Sequence, residues 1–225
     1  DLVVIGGGVI GLEMAAYYQT VGTQVTVIEM LPHIAGSTDR EIGSLLQKEL
    51  EKKGVRFLLG HKCLEVKPGE VAAESPDGEK IFVPADKVLL SIGRSANTQG
   101  IGLESIGVFF ERRGIKTDMF GRTNVEGVYA IGDVNGHHML AHTAYREAEV
   151  AVNHMLGKAD EMRYDVVPSV IYTDPEVASV GLSKEAAEGR GMNVKEVKLP
   201  MSYAGRYLAE TNGGKGFIKL IVDTD

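Results

Sequence analysis

The chain has 225 residues, with 24 lysines and arginines against 31 aspartates and glutamates, a net charge of −7. That balance argues against a nucleic-acid or anionic-membrane surface, and no run of 18 apolar residues is present to span a bilayer. Cys63 is the single cysteine, which excludes an internal disulfide and a Cys-x-x-Cys centre. With 44% hydrophobic and 24% charged residues, the composition is that of a soluble globular protein of one large or two smaller domains.

The chain opens on Leu2-Val3-Val4-Ile5, a β-branched apolar run too short for a helix, which predicts a parallel strand buried on both faces. Gly6, Gly8 and Gly11 follow in G-x-G-x-x-G spacing, and residues 12–21 predict a helix that Gly22 stops. Residues 24–28 predict a second strand, closed by Glu29. Each glycine has a mechanical reason. Gly6 permits the tight strand-to-helix turn, Gly8 lets the backbone approach a pyrophosphate with no Cβ in the way, and Gly11 allows helix and strand to pack closely. Glu29 stands 18 residues past Gly11, where a carboxylate can accept hydrogen bonds from a ribose diol and would repel a 2′-phosphate. Met30, Leu31 and Pro32 come next rather than an arginine, so NAD is favoured over NADP. Strand, helix and distal acid together predict dinucleotide binding, against the plainer reading of a structural turn with an incidental surface glutamate.

After a loop at 30–37, Thr38 or Asp39 caps a predicted helix to about residue 53, with Ile42, Leu45, Leu46 and Leu50 on one face. Gly54 ends it, and residues 55–59 predict the third strand. From 61 to 83 short strands alternate with turns at Lys67-Pro68-Gly69 and Pro76-Asp77-Gly78, an antiparallel meander inserted before the last strand. Cys63 lies in this stretch and is expected to pack in the core. Residues 88–93 predict that last strand; its closing Gly93 suits either a ligand's approach or a simple turn. Residues 94–120 read as a polar crossing into a second layer, and 128–131 as a short strand followed by Gly132-Asp133. Asp133 can accept a bond from a ligand hydroxyl, although a loop or capping aspartate is the commoner reading of that pattern. Residues 139–156 predict a helix whose Ala141, Ala144, Ala148 and Ala151 give a small-residue packing face.

From about 162 the pattern turns to strands at 166–172, 177–181, 194–199 and 216–222, with Ser183 capping a short helix to about 188. This predicts an incomplete antiparallel sheet with one helix. The expected domains are 1–93, 94–161 and 162–225. The chain begins without methionine, inside a core strand, and shows no signal peptide. It reads as a piece of a longer, cytoplasmic protein.

Five motifs occur in order: GGGVIGLE from Gly6 to Glu13, VLLSIGR from Val88, T-x(4)-VYAIGDV from Thr123, MLAH from Met139 and PSVIYTDPEVASVG from Pro168. Together they resemble the flavin-dependent pyridine nucleotide-disulfide oxidoreductases, most closely the branch that oxidises dihydrolipoamide. The resemblance implies an α/β fold: a Rossmann-like NAD-binding domain with an inserted β-meander, part of a central FAD-domain region, and an incomplete α+β dimerisation domain. It implies the cofactors NAD and FAD. Gly6, Gly7, Gly8, Val9, Ile10 and Gly11 would form the pyrophosphate loop, with Glu13 near the nicotinamide, Glu29 on the adenosine ribose and Gly93 lining the NAD site. Asp133 would bind the ribityl chain, and Met139, Leu140, Ala141 and His142 would lie beside the isoalloxazine ring, His142 through its backbone.

The implied partners are a second copy in the intact protein and a lipoyl-domain substrate of a 2-oxo acid dehydrogenase or glycine cleavage complex. Neither nucleic acid, membrane nor metal is implied. The family's first FAD-binding glycine segment, its Cys-x(4)-Cys pair and its C-terminal His-Glu pair have no counterpart here, so no catalytic residue is assigned. Thr143 and Ala148 stand where lysine and glycine are usual in the family. Two alternatives stay open: a disulfide reductase of the glutathione or mercuric type, and a nucleotide-binding module without redox chemistry.

Overall fold

The computed structural model describes residues 1–211 and 214–225. The chain divides into two compact units, residues 1–92 with 168–225, and residues 93–167. The first unit opens with β1 (Leu2–Ile5), α1 (Val9–Thr20), β2 (Val25–Glu29), α2 (Arg40–Lys52) and β3 (Arg56–Leu59). The meander β4 (Lys62–Lys67), β5 (Gly69–Glu74) and β6 (Lys80–Ala85) follows, and then β7 (Lys87–Leu90). The parallel sheet runs in the order β3-β2-β1-β7, and the meander forms its own antiparallel sheet.

The run of apolar residues in β1 has a physical cause: both faces of the strand are covered. Leu2 and Val4 pack with Leu12 and Ala15 of α1 and with Leu46 and Leu50 of α2. Val3 and Ile5 pack with Val71, Ala73, Val83 and Ala85 of the meander, and Cys63 joins the edge of that cluster. Val3 and Val4 are fully buried, and each such side chain contributes about 1.5–3 kcal/mol. Alternation of apolar and polar residues would expose one of these two cores.

Both helices end as the glycines require. Gly22 (φ 94°) and Gly54 (φ 102°) adopt the left-handed conformation. Their N–H groups donate to Gln19 and Glu51, and the following Thr23 and Val55 donate to Tyr18 and Leu50, satisfying carbonyls that the helix leaves open. Asp39 is the cap of α2, accepting from the amides of Glu41 (3.0 Å) and Ile42 (3.2 Å).

The second unit contains the hairpin β8 (Phe110–Glu111) and β9 (Gly114–Ile115), a single-turn helix at Gly132–Asn135, and α3 (Ala141–Met155). The strand expected at 128–131 does not form. Tyr129 makes one isolated bridge to Arg122, because the segment folds back locally: Ala130 donates to Gly121, Thr123 to Val128, and Val128 to Val125. The buried stripe of α3 also differs from the alanine face. It consists of Thr143, Glu147, Val150 and Ala151, while Ala141 is exposed and Ala144 and Ala148 are half-buried. The stripe keeps helical spacing, but two of its members are polar. Glu147 is fully partnered; Thr143 Oγ1 is buried with no partner among the described residues, and nothing in the structure explains it.

The remainder of the first unit is β10 (Ser169–Ile171), β11 (Val177–Ser179), α4 (Lys184–Gly189), β12 (Val194–Pro200), α5 (Gly205–Thr211) and β13 (Phe217–Asp223). Ser183 caps α4 through the Ala186 amide. α5 is a second helix that the sequence pattern does not announce, because it buries no residue and so has no apolar stripe. Among the described residues no helix is long and apolar enough to cross a membrane.

Polar contacts tie this segment to α1 and α2. Tyr172 N–H donates to Glu13 (2.9 Å), Lys53 bonds the carbonyl (2.6 Å) and carboxylate of Asp174, and Lys198 pairs with Glu41. Lys219 of β13, with only 10% of its side chain exposed, meets both oxygens of Asp39 at 3.0 and 2.9 Å and Glu41 at 3.0 Å. Burial alone would raise Asp39; bonds from Lys219 and the amides of Ile42 and Glu41 outweigh it and hold the carboxyl below its ordinary value. Burial would likewise lower Lys219, but Asp39 and Glu41 push it up to about 12.

We expect Lys219→Met to destabilise the chain by about 1–3 kcal/mol, less than a wholly buried pair, because Asp39 keeps its cap bonds. The Asp39 contribution is complete above the ordinary carboxylate pKa and is lost as pH falls through its depressed value. That of Lys219 is complete below pH 10.5 and is lost as pH rises through about 12. Thermal melts of both proteins at pH 3, 7 and 12 check this: the gap between them should be widest at pH 7.

Candidate functional site

The bend between β1 and α1 shows why three glycines stand where they do. A Cβ on Gly6 (φ 106°) would lie 2.2 Å from the Ser91 carbonyl oxygen, and one on Gly11 would lie 2.1 Å from the Gly6 oxygen. Both positions are closed by backbone, which cannot give way cheaply. Gly8 is different. Its φ is −77°, open to any residue, and a Cβ there would meet nothing within 4 Å. The protein's own packing does not ask for glycine at that position. Gly8 also precedes the first turn of α1, where the amides have no partner within the helix and carry the positive end of its dipole. Val9 and Ile10 are exposed in spite of being apolar.

Glu29 at the end of β2 turns toward this bend. Its Oε2 accepts from Gly7 N–H at 2.6 Å and its Oε1 from Leu31 N–H at 2.7 Å. A Cβ on Gly7 would press on the Glu29 side chain at 3.2 Å. The carboxylate is therefore fixed in place by two amides, and each oxygen keeps a further lone pair. The Gly7 amide, expected to face an anion, is already taken. Ala35 N–H donates to the Gly7 carbonyl (2.8 Å), bringing the 35–38 loop alongside. A cleft of about 260 Å³ lies there, bounded by Gly8 and Val9, by residues 35–38, and by Ser169 and Ser179. Sites that enclose a whole cofactor usually measure about 300–1,000 Å³, so this cleft has room for one portion of a dinucleotide. Glu13 is half-buried one turn into α1 and is bonded to the Tyr172 amide.

The other expected site residues belong to the second unit. Gly93 is exposed with φ 118°, and a Cβ there would meet nothing within 4 Å. Asp133 is exposed, and its carboxylate has no hydrogen-bond partner among the described residues. The chain then passes through half-buried Met139 and Leu140 into α3, where Ala141 and His142 are exposed. No side chain caps that helix start. The turn bearing Asp133 is held from below by Glu147, which accepts from Gly132 N–H (2.5 Å), Asn135 Nδ2 (2.9 Å) and the Tyr164 hydroxyl (2.7 Å). Burial, reinforced by Glu147, keeps the Tyr164 phenol protonated well above its ordinary range. Burial pushes His137, stacked on Tyr164 at 4.6 Å, below its ordinary value. Sequence reading missed Glu147; its signal was a charged residue at the same helical spacing as Thr143, Val150 and Ala151.

Comparison with known families matches residues 1–148 to the pyridine nucleotide-disulphide oxidoreductases and residues 167–225 to the dimerisation domain of the same group. The chain belongs to this family. Relatives within the pyridine nucleotide-disulphide oxidoreductases include dihydrolipoyl dehydrogenase 3 of Pseudomonas aeruginosa, 42% identical over 99% of this chain and 48% of its own length. The dihydrolipoyl dehydrogenase of Thermus scotoductus is 41% identical over 100% of this chain and 50% of its own. Among solved structures, LpdA from Mycobacterium tuberculosis superposes with a TM-score of 0.87 at 27% identity, covering 99% of this chain and 49% of that one. The HOCl-induced flavoprotein disulfide reductase RclA from Escherichia coli gives 0.83 at 26%, covering 99% and 51%. The chain spans about half the length of the curated relatives it matches.

The steric contrast within the bend is directly measurable. Gly11→Ala should destabilise the chain by about 1–3 kcal/mol through overpacking against the Gly6 carbonyl. Gly8→Ala should stay within about 1 kcal/mol of the parent, because a poorer helix cap and a stiffer unfolded chain oppose each other. Urea unfolding of the two variants checks the difference.

Proposed function

We propose that this chain carries the NAD-binding part and one edge of the flavin site of a dihydrolipoyl dehydrogenase. The observation that carries the reading is Gly8, a glycine that the fold does not require, beside a cleft and an uncapped helix start. A residue kept small where the protein leaves open space fits a ligand whose backbone contact is close, and a pyrophosphate on helix amides has that geometry. Bound FAD and NAD would supply the two-electron hydride chemistry. The chain's own residues bind and orient. The first-turn amides of α1 receive the pyrophosphate, and Glu29, already fixed by Gly7 and Leu31, offers its remaining lone pairs to the adenosine ribose. Gly93 and Glu13 serve the nicotinamide side. Asp133 takes a ribityl hydroxyl, and residues 139–142 lie along the isoalloxazine ring.

The relatives' names support dihydrolipoamide as substrate, and the dimerisation-domain match supports a homodimer. We place that substrate on the lipoyl domain of a 2-oxo acid dehydrogenase or glycine cleavage complex, and the protein in the cytoplasm. The domains we assign are 1–93 for NAD, 94–161 for the flavin-facing region and 162–225 for dimerisation. Cys63 does not supply the disulfide. It is the one cysteine, it packs half-buried at the edge of the core, and burial raises its thiol pKa, which disfavours the nucleophilic thiolate.

Calorimetric titration of the chain tests the reading. NADH should bind at least about tenfold more tightly than NADPH, since a 2′-phosphate would meet the Glu29 carboxylate without a cation to offset it. Equal affinities would sink the role given to Glu29. Gly8→Ala should lose NADH binding while remaining folded. With dihydrolipoamide and NAD+, the 225-residue chain should produce no NADH; steady production, followed at 340 nm, would overturn the reading of Cys63.

A further inference from the structure

We propose that Glu147 is a positioning residue for flavin, holding the turn at residues 132–135 so that Asp133 is presented at one fixed place. The inference rests on the reading of Asp133 as a flavin ligand and goes beyond it by assigning a residue that touches no cofactor. Glu147 is 2% exposed, and no lysine or arginine pairs with it among the described residues. A buried carboxylate without a cation persists only where donors fully satisfy it. Two of its three donors, the Gly132 amide and the Asn135 side chain, come from this turn, and Gly132 directly precedes Asp133. The third, the Tyr164 hydroxyl, closes the arrangement from another segment.

The turn is clamped by shape as well. Gly132 (φ 73°) has Ala144 of α3 at 3.3 Å from where its Cβ would be, and a Cβ on Gly136 would strike the Arg113 carbonyl at 1.9 Å. Asp133 adds nothing to this clamp, because its side chain is exposed and has no hydrogen-bond partner among the described residues. Its position is set by Glu147, and its oxygens are left for a ligand. The chemistry is specific to a carboxylate, which accepts at both oxygens. A glutamine of the same shape must point its NH2 group at the Gly132 amide, or else at the donors Asn135 and Tyr164, and so loses at least one bond.

The test compares Glu147→Gln with the parent chain by three measurements: FAD uptake followed by flavin fluorescence, NADH binding by calorimetry, and amide exchange at Gly132 and Asp133 by NMR. We expect FAD affinity to fall about tenfold or more, NADH affinity to stay within about twofold, and exchange at both amides to accelerate. Unchanged FAD affinity in a folded Glu147→Gln chain overturns the proposal. If the parent takes up no FAD, the flavin reading of Asp133 fails by itself; the amide exchange then decides whether Glu147 braces the turn, and unchanged exchange overturns that too. Should Glu147→Gln not fold, Tyr164→Phe, which removes one donor, is expected to weaken FAD binding several-fold, and no weakening counts against the proposal.

Discussion

The structure turns on a steric constraint between backbone atoms. The Ser91 carbonyl oxygen lies 2.2 Å from where a Gly6 side chain would begin, and the Gly6 oxygen lies 2.1 Å from that of Gly11. β7, the bend and α1 are therefore brought closer than any residue with a Cβ would allow. This closeness lets α1 seal one face of the parallel sheet with Leu12 and Ala15, and it places the start of the helix at the carboxyl edge of the strands. There the order of the sheet, β3-β2-β1-β7, puts β1 at the centre, flanked by β2 with its terminal Glu29. Helix-start amides without a partner in the helix and an ordered carboxylate both follow from one tight crossing.

The two units use charge in different ways. In the first, charge docks one segment on another: Lys219 reaches from β13 to the carboxylate that caps α2, and Glu13 and Lys53 hold the chain at Tyr172 and Asp174. The partners have opposite sign or are backbone groups, and at the buried Lys219–Asp39 pair the attraction offsets the desolvation. In the second unit a carboxylate is satisfied without any cation. Glu147 takes three neutral donors, an arrangement that fixes geometry more than it adds stability.

The patterns that were legible in the sequence were the local ones. The strand LVVI, the glycines of the bend, the glycine stops of α1 and α2, the Asp39 cap, the meander with its two glycine turns, and the final pair of strands all depend on residues near one another in the chain. Turn and cap chemistry acts over three or four residues, so it can be read directly. Failures came where a local pattern had two outcomes. The run from Val128 to Ile131 suits a strand, but its hydrogen bonds are spent on a tight fold-back. The alanines of α3 suit a packing face, but the buried stripe is rotated to Thr143 and Glu147 because donors from Gly132, Asn135 and Tyr164 are there to receive the carboxylate. α5 has no buried residue and hence no pattern to find.

The sequence by itself determined the class of the fold, the order of most of its elements and the position of the glycine bend, because periodicity and glycine spacing act along the chain. Only the tertiary structure decided what holds each acid. Glu29, Asp133, Glu13 and Glu147 are all carboxylates with reasonable local explanations. What separates a fixed acid with lone pairs to spare, an exposed one without a partner, one tied to a distant amide and one sealed under a turn is the set of donors that folding brings from 12 to 159 residues away.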